Sequence, residues 1–271
     1  MQFQTNTISG KVYITGAGPG DPELITLKGK RVLEEADVVI YDRLVNPELL
    51  AYSPEASEHI YVGKQPGKPS VSQNRINQIL VSKAREGKTV VRLKGGDPFI
   101  FGRGSEESEA LVAEEIPYEI IPGISSALAA PAYAGIPLTH RTLARSFTVV
   151  TGHTLKNTDA FQNWDHLAHA DTLVILMGMR NLARIVDTLI EYGRSPDTPV
   201  SIIEKATQSE QRTITATLSS ITEQSAGFSS PAVIVVGELA SMSQDLDWYL
   251  PNSQAEQKQF NYTGRLTKFA V

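Results

Sequence analysis

The sequence predicts an α/β protein built as two α/β domains, and three observations carry that expectation. Short β-branched runs alternate with amphipathic stretches, glycine-rich turns follow several of those runs, and the whole pattern restarts near the middle of the chain. The first run, "KVYIT" (11–15), is closed by "GAGPGD". A helical stretch follows, "LKGKRVLEEAD", with Leu27, Val32, Leu33 and Ala36 roughly on one side, and then a second buried run, "DVVIYD" (37–42). Strand, glycine turn, helix and strand in so little chain make a βαβ unit, which calls for a parallel sheet. "SQNRINQILVSKAREGK" predicts a longer helix. Ser72 caps it, Ile76, Ile79, Leu80 and Ala84 share a face, and Gly87 ends it. "TVVRL" is the next strand. The helix after it opens with Glu106 and Glu107, where the helix dipole favours negative charge, and its "SEESEALVAEE" run reads as a solvated face.

"EIIPGISSALAAPAYAGIPLTHR" is rich in small residues and carries three prolines, so it accommodates only a short helix, near 125–130. Beyond it "SFTVVTG" and "DTLVILMGM" read as strands. "NLARIVDTLIEYG" is a helix, with Leu182, Ile185, Val186, Leu189 and Ile190 at one-face spacing. "TPVSIIEKAT", "QRTITATL" and "PAVIVVGEL" supply further strands. The expected organisation is an N-terminal α/β domain over 1–139, a linker over 140–145, a C-terminal α/β domain over 146–250 and a polar tail over 251–271. No internal repeat is evident.

Composition bounds the function. The 271 residues are 41% hydrophobic and 20% charged, which is ordinary globular usage. Net charge is -5, so bulk electrostatics favour neither nucleic acid nor an anionic membrane as a partner. There is no cysteine, which removes disulfides, thiol nucleophiles and thiolate-held metal centres. No apolar run approaches the ~20 residues of a spanning helix, and the start lacks the pattern of a signal peptide. A cytoplasmic location is the expectation.

Two glycine loops draw attention. "VYITGAGPGD" invites a dinucleotide-binding reading, because Asp42 ends the next strand where such folds put a ribose-binding acid. The spacing opposes it: the G-x-G-x-x-G pattern calls for glycine at position 21, which is Asp21, and Pro19 and Pro22 disturb the helix start. A plain tight turn, or a site for another nucleotide-like ligand, stays open. The second loop, "LKGGDPFIFGRG" (93–104), packs four glycines beside Phe99, Ile100 and Phe101. Both loops lie at the carboxyl ends of strands expected to be parallel, the end where open α/β sheets bind ligands. Gly95 and Gly96 allow main chain to approach a ligand closely, Asp97 adds an acceptor suited to an amine or a ribose hydroxyl, and the aromatics offer an apolar wall. Taken singly, each aromatic is equally an ordinary core residue.

Other residues say less. His166 and His169, with Asp165 and Asp171 nearby, lie in what reads as a polar connector, and no metal is expected. His153 follows a strand and contacts either a ligand or a loop. No Ser-His-Asp arrangement and no phosphate-binding Walker loop is present.

With these residues in view, the chain resembles the uroporphyrinogen-III C-methyltransferases, a family of S-adenosylmethionine-dependent tetrapyrrole methyltransferases. The resemblance runs from about Lys11 to about Leu239. It rests on "VYITGAGPGDPELITLKG", "ADVVIYDRLV", "VGK", "VVRLKGGDPFIFGRGSEE", "PGISSALAAPAYAGIPLTHR", "VTGH", "LMGM" and "QRTITATL". It implies two α/β domains with the cofactor in a cleft between them, unlike the Rossmann-type methyltransferase site. It implies S-adenosylmethionine contacts at Pro19, Gly95, Gly96, Asp97, Ile100, Ser125, Ser126, Met177 and Ala206, with S-adenosylhomocysteine as product. Asp42 and Lys64 fall where relatives carry a proposed proton acceptor and donor. The implied reaction methylates uroporphyrinogen III at C2 and C7 to give precorrin-2, at the branch to sirohaem and cobalamin-type products, in a homodimer. Two departures are visible: Ser125-Ser126 stands where the family often has Thr-Ala, and Ala206 where it often has Gly. The polycarboxylate substrate asks for local basic groups, with Arg43, Lys94 and Arg103 foremost and Lys64, Arg141 and Arg145 as further candidates. Two other functions fit the bare pattern: an NAD-dependent oxidoreductase, argued from Asp42, and a non-catalytic tetrapyrrole carrier.

Overall fold

A computed structural model describes residues 10–63, 71–152 and 163–249. Lys64, His153 and the tail over 251–271 lie outside the described residues. The chain divides into two compact units, Met1–Ser126 and Ala127–Val271.

In the first unit the β-branched runs become strands β1 (Lys11–Gly16), β2 (Val38–Tyr41), β3 (Glu58–Tyr61), β4 (Thr89–Lys94) and β5 (Tyr118–Ile121), in one sheet of order β3-β2-β4-β1-β5. Every neighbouring pair is parallel. A parallel sheet is covered on both faces, so its strands read as continuous apolar runs. One face, with Val12, Ile14, Val38, Ile40 and Val90, packs against α2 (Gln73–Arg85) through Ile76, Leu80 and Ala84 and against α3 (Gly104–Ala113) through Leu111. The other, with Val39, Val91, Leu93 and Ile121, receives Val32 and Leu33 of α1 (Leu27–Glu34) and Leu49 of a short 3₁₀ segment. Ser72 caps α2 as expected, its side chain accepting from the Arg75 N–H. Strands β3 and β5 escape the sequence pattern. Each is four residues long and lies at a sheet edge, where burial is partial and the apolar signal weak.

The second unit begins with α4 (Ser126–Tyr133), which runs beyond the expected helix and through Pro131. Ala127, Ala130, Ala134 and Ile136 pack on Val174, Leu176, Ile203, Val233 and Val235. Segment 127–139, expected in the first domain, therefore groups with the second sheet. That sheet has the order β6-β7-β10-β8-β9 from β6 (Phe147–Thr151), β7 (Thr172–Leu176), β8 (Pro199–Glu204), β9 (Arg212–Thr217) and β10 (Ala232–Val236). Only β6 and β7 pair in parallel; the other three pairings are antiparallel. The sheet's other face is covered by α5 (Trp164–Ala168), α6 (Leu182–Glu191) and α7 (Leu218–Gln224). The polar connector expected around His166 is thus helix α5, held by buried Trp164 and Leu167, with His169 Nδ1 2.7 Å from the Asp165 carbonyl. A last short helix, α8 (Ser243–Leu246), precedes an aromatic cluster of Tyr133, Trp248 and Tyr249. Among the described residues no helix is long and apolar enough to cross a membrane.

Glu119 on β5 ties the first sheet to α1, accepting from Lys11 of β1 at 2.7 Å and pairing with Lys28. Those two hydrogen bonds pull its carboxyl down to about 2. A depressed carboxyl stabilises the fold above the unfolded value near 4.5 and loses that contribution as pH falls towards 2. Because all three side chains are partly exposed, Glu119→Gln should cost only about 0.5–1 kcal/mol at pH 7. The gap from wild type should close between about pH 4.5 and 2 in urea denaturation; a pH-independent gap would contradict the ion-pair origin.

Candidate active site

The connections after β1 and β4 leave for opposite faces of the first sheet, since β1 leads to α1 and β4 to α3. Adjacent strands whose connections diverge in this way open a crevice at their carboxyl ends. Both glycine loops lie there. The Ala17 N–H reaches the Lys94 carbonyl at 2.7 Å, extending the ladder, and then Gly18 and Gly96 exchange both backbone hydrogen bonds, at 3.2 and 2.7 Å. Gly18 and Gly96 have φ of 80° and 69°, a region costly for residues with a Cβ.

The loop after β5 joins them. A Cβ built on Gly16 would lie 2.5 Å from the Gly123 Cα, and one on Gly123 would lie 2.3 Å from the Gly96 carbonyl oxygen. Three strands thus end in main chain packed directly on main chain. Asp97 fastens the junction, with Oδ2 accepting from the Gly123 N–H at 3.0 Å and Oδ1 from the Phe99 N–H at 2.8 Å. It therefore holds two loops together, a role the sequence reading did not give it. At Gly96 the direction a Cβ would take is open, with Ser126 N at 3.8 Å and Ser125 Cα at 3.9 Å as its nearest neighbours. Gly95 packs against Leu44, and Pro19, in the first loop, is half-buried. Phe99, Ile100 and Phe101 are exposed to 54%, 44% and 44%, so they do not serve the core. Phe101 and Arg103 hold φ of 52° and 60°, strain that the surrounding loop over-determines.

Asp42 directly follows β2, next to β4 in the sheet. Its Oδ1 accepts from the Leu44 N–H at 3.1 Å and its Oδ2 is 3.6 Å from Nη2 of Arg92. Arg92 and Lys94, two apart on β4, both point at the α2/α3 face and both meet Glu107 of α3, at 3.0 and 2.8 Å. Glu107, read from sequence as part of a solvated helix face, is fully buried, and its Oε2 has no hydrogen-bond partner among the described residues. Burial, with the Arg92 charge second, holds the Lys94 ammonium below its usual range, while Glu107 opposes both. Lys94, expected to grip substrate, is 3% exposed and committed to Glu107. Arg103 is exposed, but its guanidinium forks onto Glu106 with two hydrogen bonds of 2.7 Å. Arg43 is exposed beside Asp42.

In the second unit Met177 follows β7 with φ of 57° and is 40% exposed, while Gly178 packs on Gly152. Buried Ala206 follows β8 between Lys205 and Thr207, which have φ of 46° and 69°. Residues that the resemblance assigns to a cofactor are thus found at or beside strained backbone in both units.

The dinucleotide alternative loses its footing here. Asp21 accepts from the Glu23 N–H in a 3₁₀ turn, and α1 starts only at Leu27, capped by Thr26. Among the described residues no α-helix starts at the first glycine loop, whereas the pyrophosphate-binding fingerprint requires one.

An all-parallel sheet with two tied glycine loops at its switch point, followed by a mixed-sheet unit, defines a two-unit α/β protein with a candidate ligand site at the strand ends of its first unit. The chain belongs to the tetrapyrrole (corrin/porphyrin) methylases, whose family model matches residues 11–222. It is 54% identical over 238 residues to a uroporphyrinogen-III C-methyltransferase of Methanocaldococcus jannaschii, covering 87% of this chain and 98% of that one. A protein of the same description from Priestia megaterium is 49% identical over 237 residues, covering 86% and 100%. Among solved structures, the uroporphyrin-III C-methyl transferase of Thermus thermophilus in complex with S-adenyl homocysteine is 41% identical with a TM-score of 0.74, covering 86% of this chain and 99% of that one.

The glycine junction carries a direct test. Gly16→Ala forces a Cβ into backbone atoms that cannot swing aside, and overpacking of this kind costs about 1–3 kcal/mol. Urea denaturation should show that loss; wild-type stability would mean that the three loops do not converge as described.

Proposed function

We propose that this chain methylates uroporphyrinogen III at C2 and C7 to give precorrin-2, with S-adenosylmethionine as methyl donor, at the branch to sirohaem and cobalamin-type products. The observation that carries the reading is the near end-to-end likeness to uroporphyrinogen-III C-methyltransferases at about half identity, with the glycine loops inside the matched region. The open space at Gly96, the half-buried glycine loop around it and the exposed apolar residues that follow fit a ligand with a polar amino-acid end and an apolar flank.

In this reading Gly95, Gly96 and Asp97 meet the cofactor through main chain, and Pro19 and Ile100 line it. The hydroxyls of Ser125 and Ser126 serve where relatives offer Thr-Ala, and Met177 and Ala206 are carried as cofactor residues on the resemblance alone. S-adenosylmethionine supplies an electrophilic methyl group carried on a sulfonium. The chain's own contribution is alignment and exclusion of water, which account for much of the acceleration in a displacement of this kind. Phe99, Ile100 and Phe101 supply the apolar surface for it. Asp42 takes the proton that the methylated ring gives up, and Lys64 is carried as the proton donor on the resemblance alone. Arg43 is the foremost candidate for a substrate carboxylate. Arg103 joins it only by giving up Glu106, and Lys94 by giving up Glu107. A homodimer acting in the cytoplasm completes the proposal, and light scattering tests the dimer.

Incubation with uroporphyrinogen III and methyl-labelled S-adenosylmethionine should yield a macrocycle bearing two labelled methyl groups. Tight binding of S-adenosylhomocysteine without turnover would favour a carrier, and calorimetric binding of NAD an oxidoreductase. Gly96→Val should fold at a cost of about 1–2 kcal/mol for its left-handed backbone and lose S-adenosylhomocysteine binding; retained affinity would move the site elsewhere. Asp42→Asn should keep cofactor affinity and slow turnover by roughly 10²–10⁴-fold. Weak cofactor binding with normal turnover would point instead to a ribose-binding acid.

A further inference from the structure

Arg92 is 3% exposed in the middle of a central strand. An apolar residue of similar size fills such a position without the desolvation penalty of an ion, so stability alone is a weak reason for the charge. The guanidinium's bonds show where it is aimed. Nε donates to Glu107 Oε1 at 3.0 Å, and Nη1 donates to the carbonyls of Ile40 at 3.3 Å and Leu93 at 3.1 Å. Those partners come from α3, β2 and β4, and they leave Nη2 facing Asp42.

The separation there is 3.6 Å, too long for a hydrogen bond and short enough for strong attraction. Asp42 is therefore held on two sides in different ways. Its Oδ1 is tied by the Leu44 N–H, and its Oδ2 is oriented by charge while its lone pairs stay available. Asp42 needs such a hold, since it lies just beyond the last residue of β2, where the sheet no longer fixes the chain. The cluster of Asp42, Arg92, Lys94 and Glu107 carries two charges of each sign.

We infer that Arg92 is a positioning residue for the reaction. Clamped by Glu107, it orients the Asp42 carboxylate so that Oδ2 meets the departing proton. The inference rests on the reading of Asp42 as proton acceptor. It makes Glu107 the support of that hold and accounts for a buried ion cluster at the base of the crevice.

The test is a double-mutant cycle on the full chain with uroporphyrinogen III and S-adenosylmethionine, comparing wild type, Asp42→Asn, Arg92→Met and the double variant. Arg92→Met should lower kcat by about 10–100-fold, a fraction of the loss expected when the acid–base group itself is removed. KM for the macrocycle and affinity for S-adenosylhomocysteine should stay within about threefold of wild type. In the Asp42→Asn background the Arg92 substitution should cost little more, because a residue acting only through Asp42 has nothing left to position. Multiplicative losses would overturn the inference and leave the Asp42 reading intact, whereas full turnover in Asp42→Asn would overturn that reading and the inference together. If Arg92→Met does not fold, Arg92→Lys takes its place in the cycle. It keeps the charge but not the fork, so its loss should again vanish when Asp42 is absent, and a loss that persists would count against the proposal.

Discussion

Three strands of the first sheet end in loops that meet where two glycines, Gly16 and Gly123, leave no room for a side chain. Gly16, Gly96 and Gly123 bring the ends of β1, β4 and β5 into direct main-chain contact, and a single methyl group at Gly16 or Gly123 would overlap backbone. Much of the site follows from this constraint. Because the loops hold one another through backbone hydrogen bonds and Asp97, the β4 loop has no need of an apolar anchor in the core. Its Phe99, Ile100 and Phe101 are left facing solvent, at the end of the sheet where ligands bind. Rigid main chain beside exposed apolar surface suits a ligand that must be held by its backbone-like end and kept dry at its reactive one.

Strand β4 serves two purposes through the simple alternation of a strand. Val91 and Leu93 face α1 and complete an apolar layer. Val90, Arg92 and Lys94 face α2 and α3, apolar at the start and charged towards the carboxyl end. The charged end coincides with the crevice, and Glu107 reaches it from the first turns of α3. Ion pairs buried this deeply are a poor source of stability, so their place beside Asp42 is the informative feature.

Much of this was legible in the sequence. The parallel sheet, both glycine loops and the long helices announced themselves through period, capping residues and punctuation. What escaped did so for physical reasons. β3 and β5 are short edge strands. α5 is a single turn and a half whose two apolar anchors, Trp164 and Leu167, are too few to set a period. Segment 127–139 carries alanines that pack as well on one sheet as on another, so its allegiance to the second unit had no signature. In the site, Glu107 was hidden by its company: one buried carboxylate among five glutamates of an acidic helix run looks like surface. The signal that exposes it is the pair Arg92 and Lys94 at spacing two in a strand whose parallel neighbours require burial on both faces. Two buried cations call for a buried anion.

The second unit shows the same habit in different form. Met177, Lys205 and Thr207 hold left-handed backbone at strand ends without being glycine, at and around residues that the resemblance assigns to the cofactor. The central claim is that the tied glycine loops of the first unit are the cofactor platform. Hydrogen–deuterium exchange with and without S-adenosylhomocysteine tests it most directly. Binding should slow exchange in peptides covering 16–20, 94–103 and 121–126 and leave the amides of α2 unchanged. Saturating binding with no protection in those three segments would contradict the account.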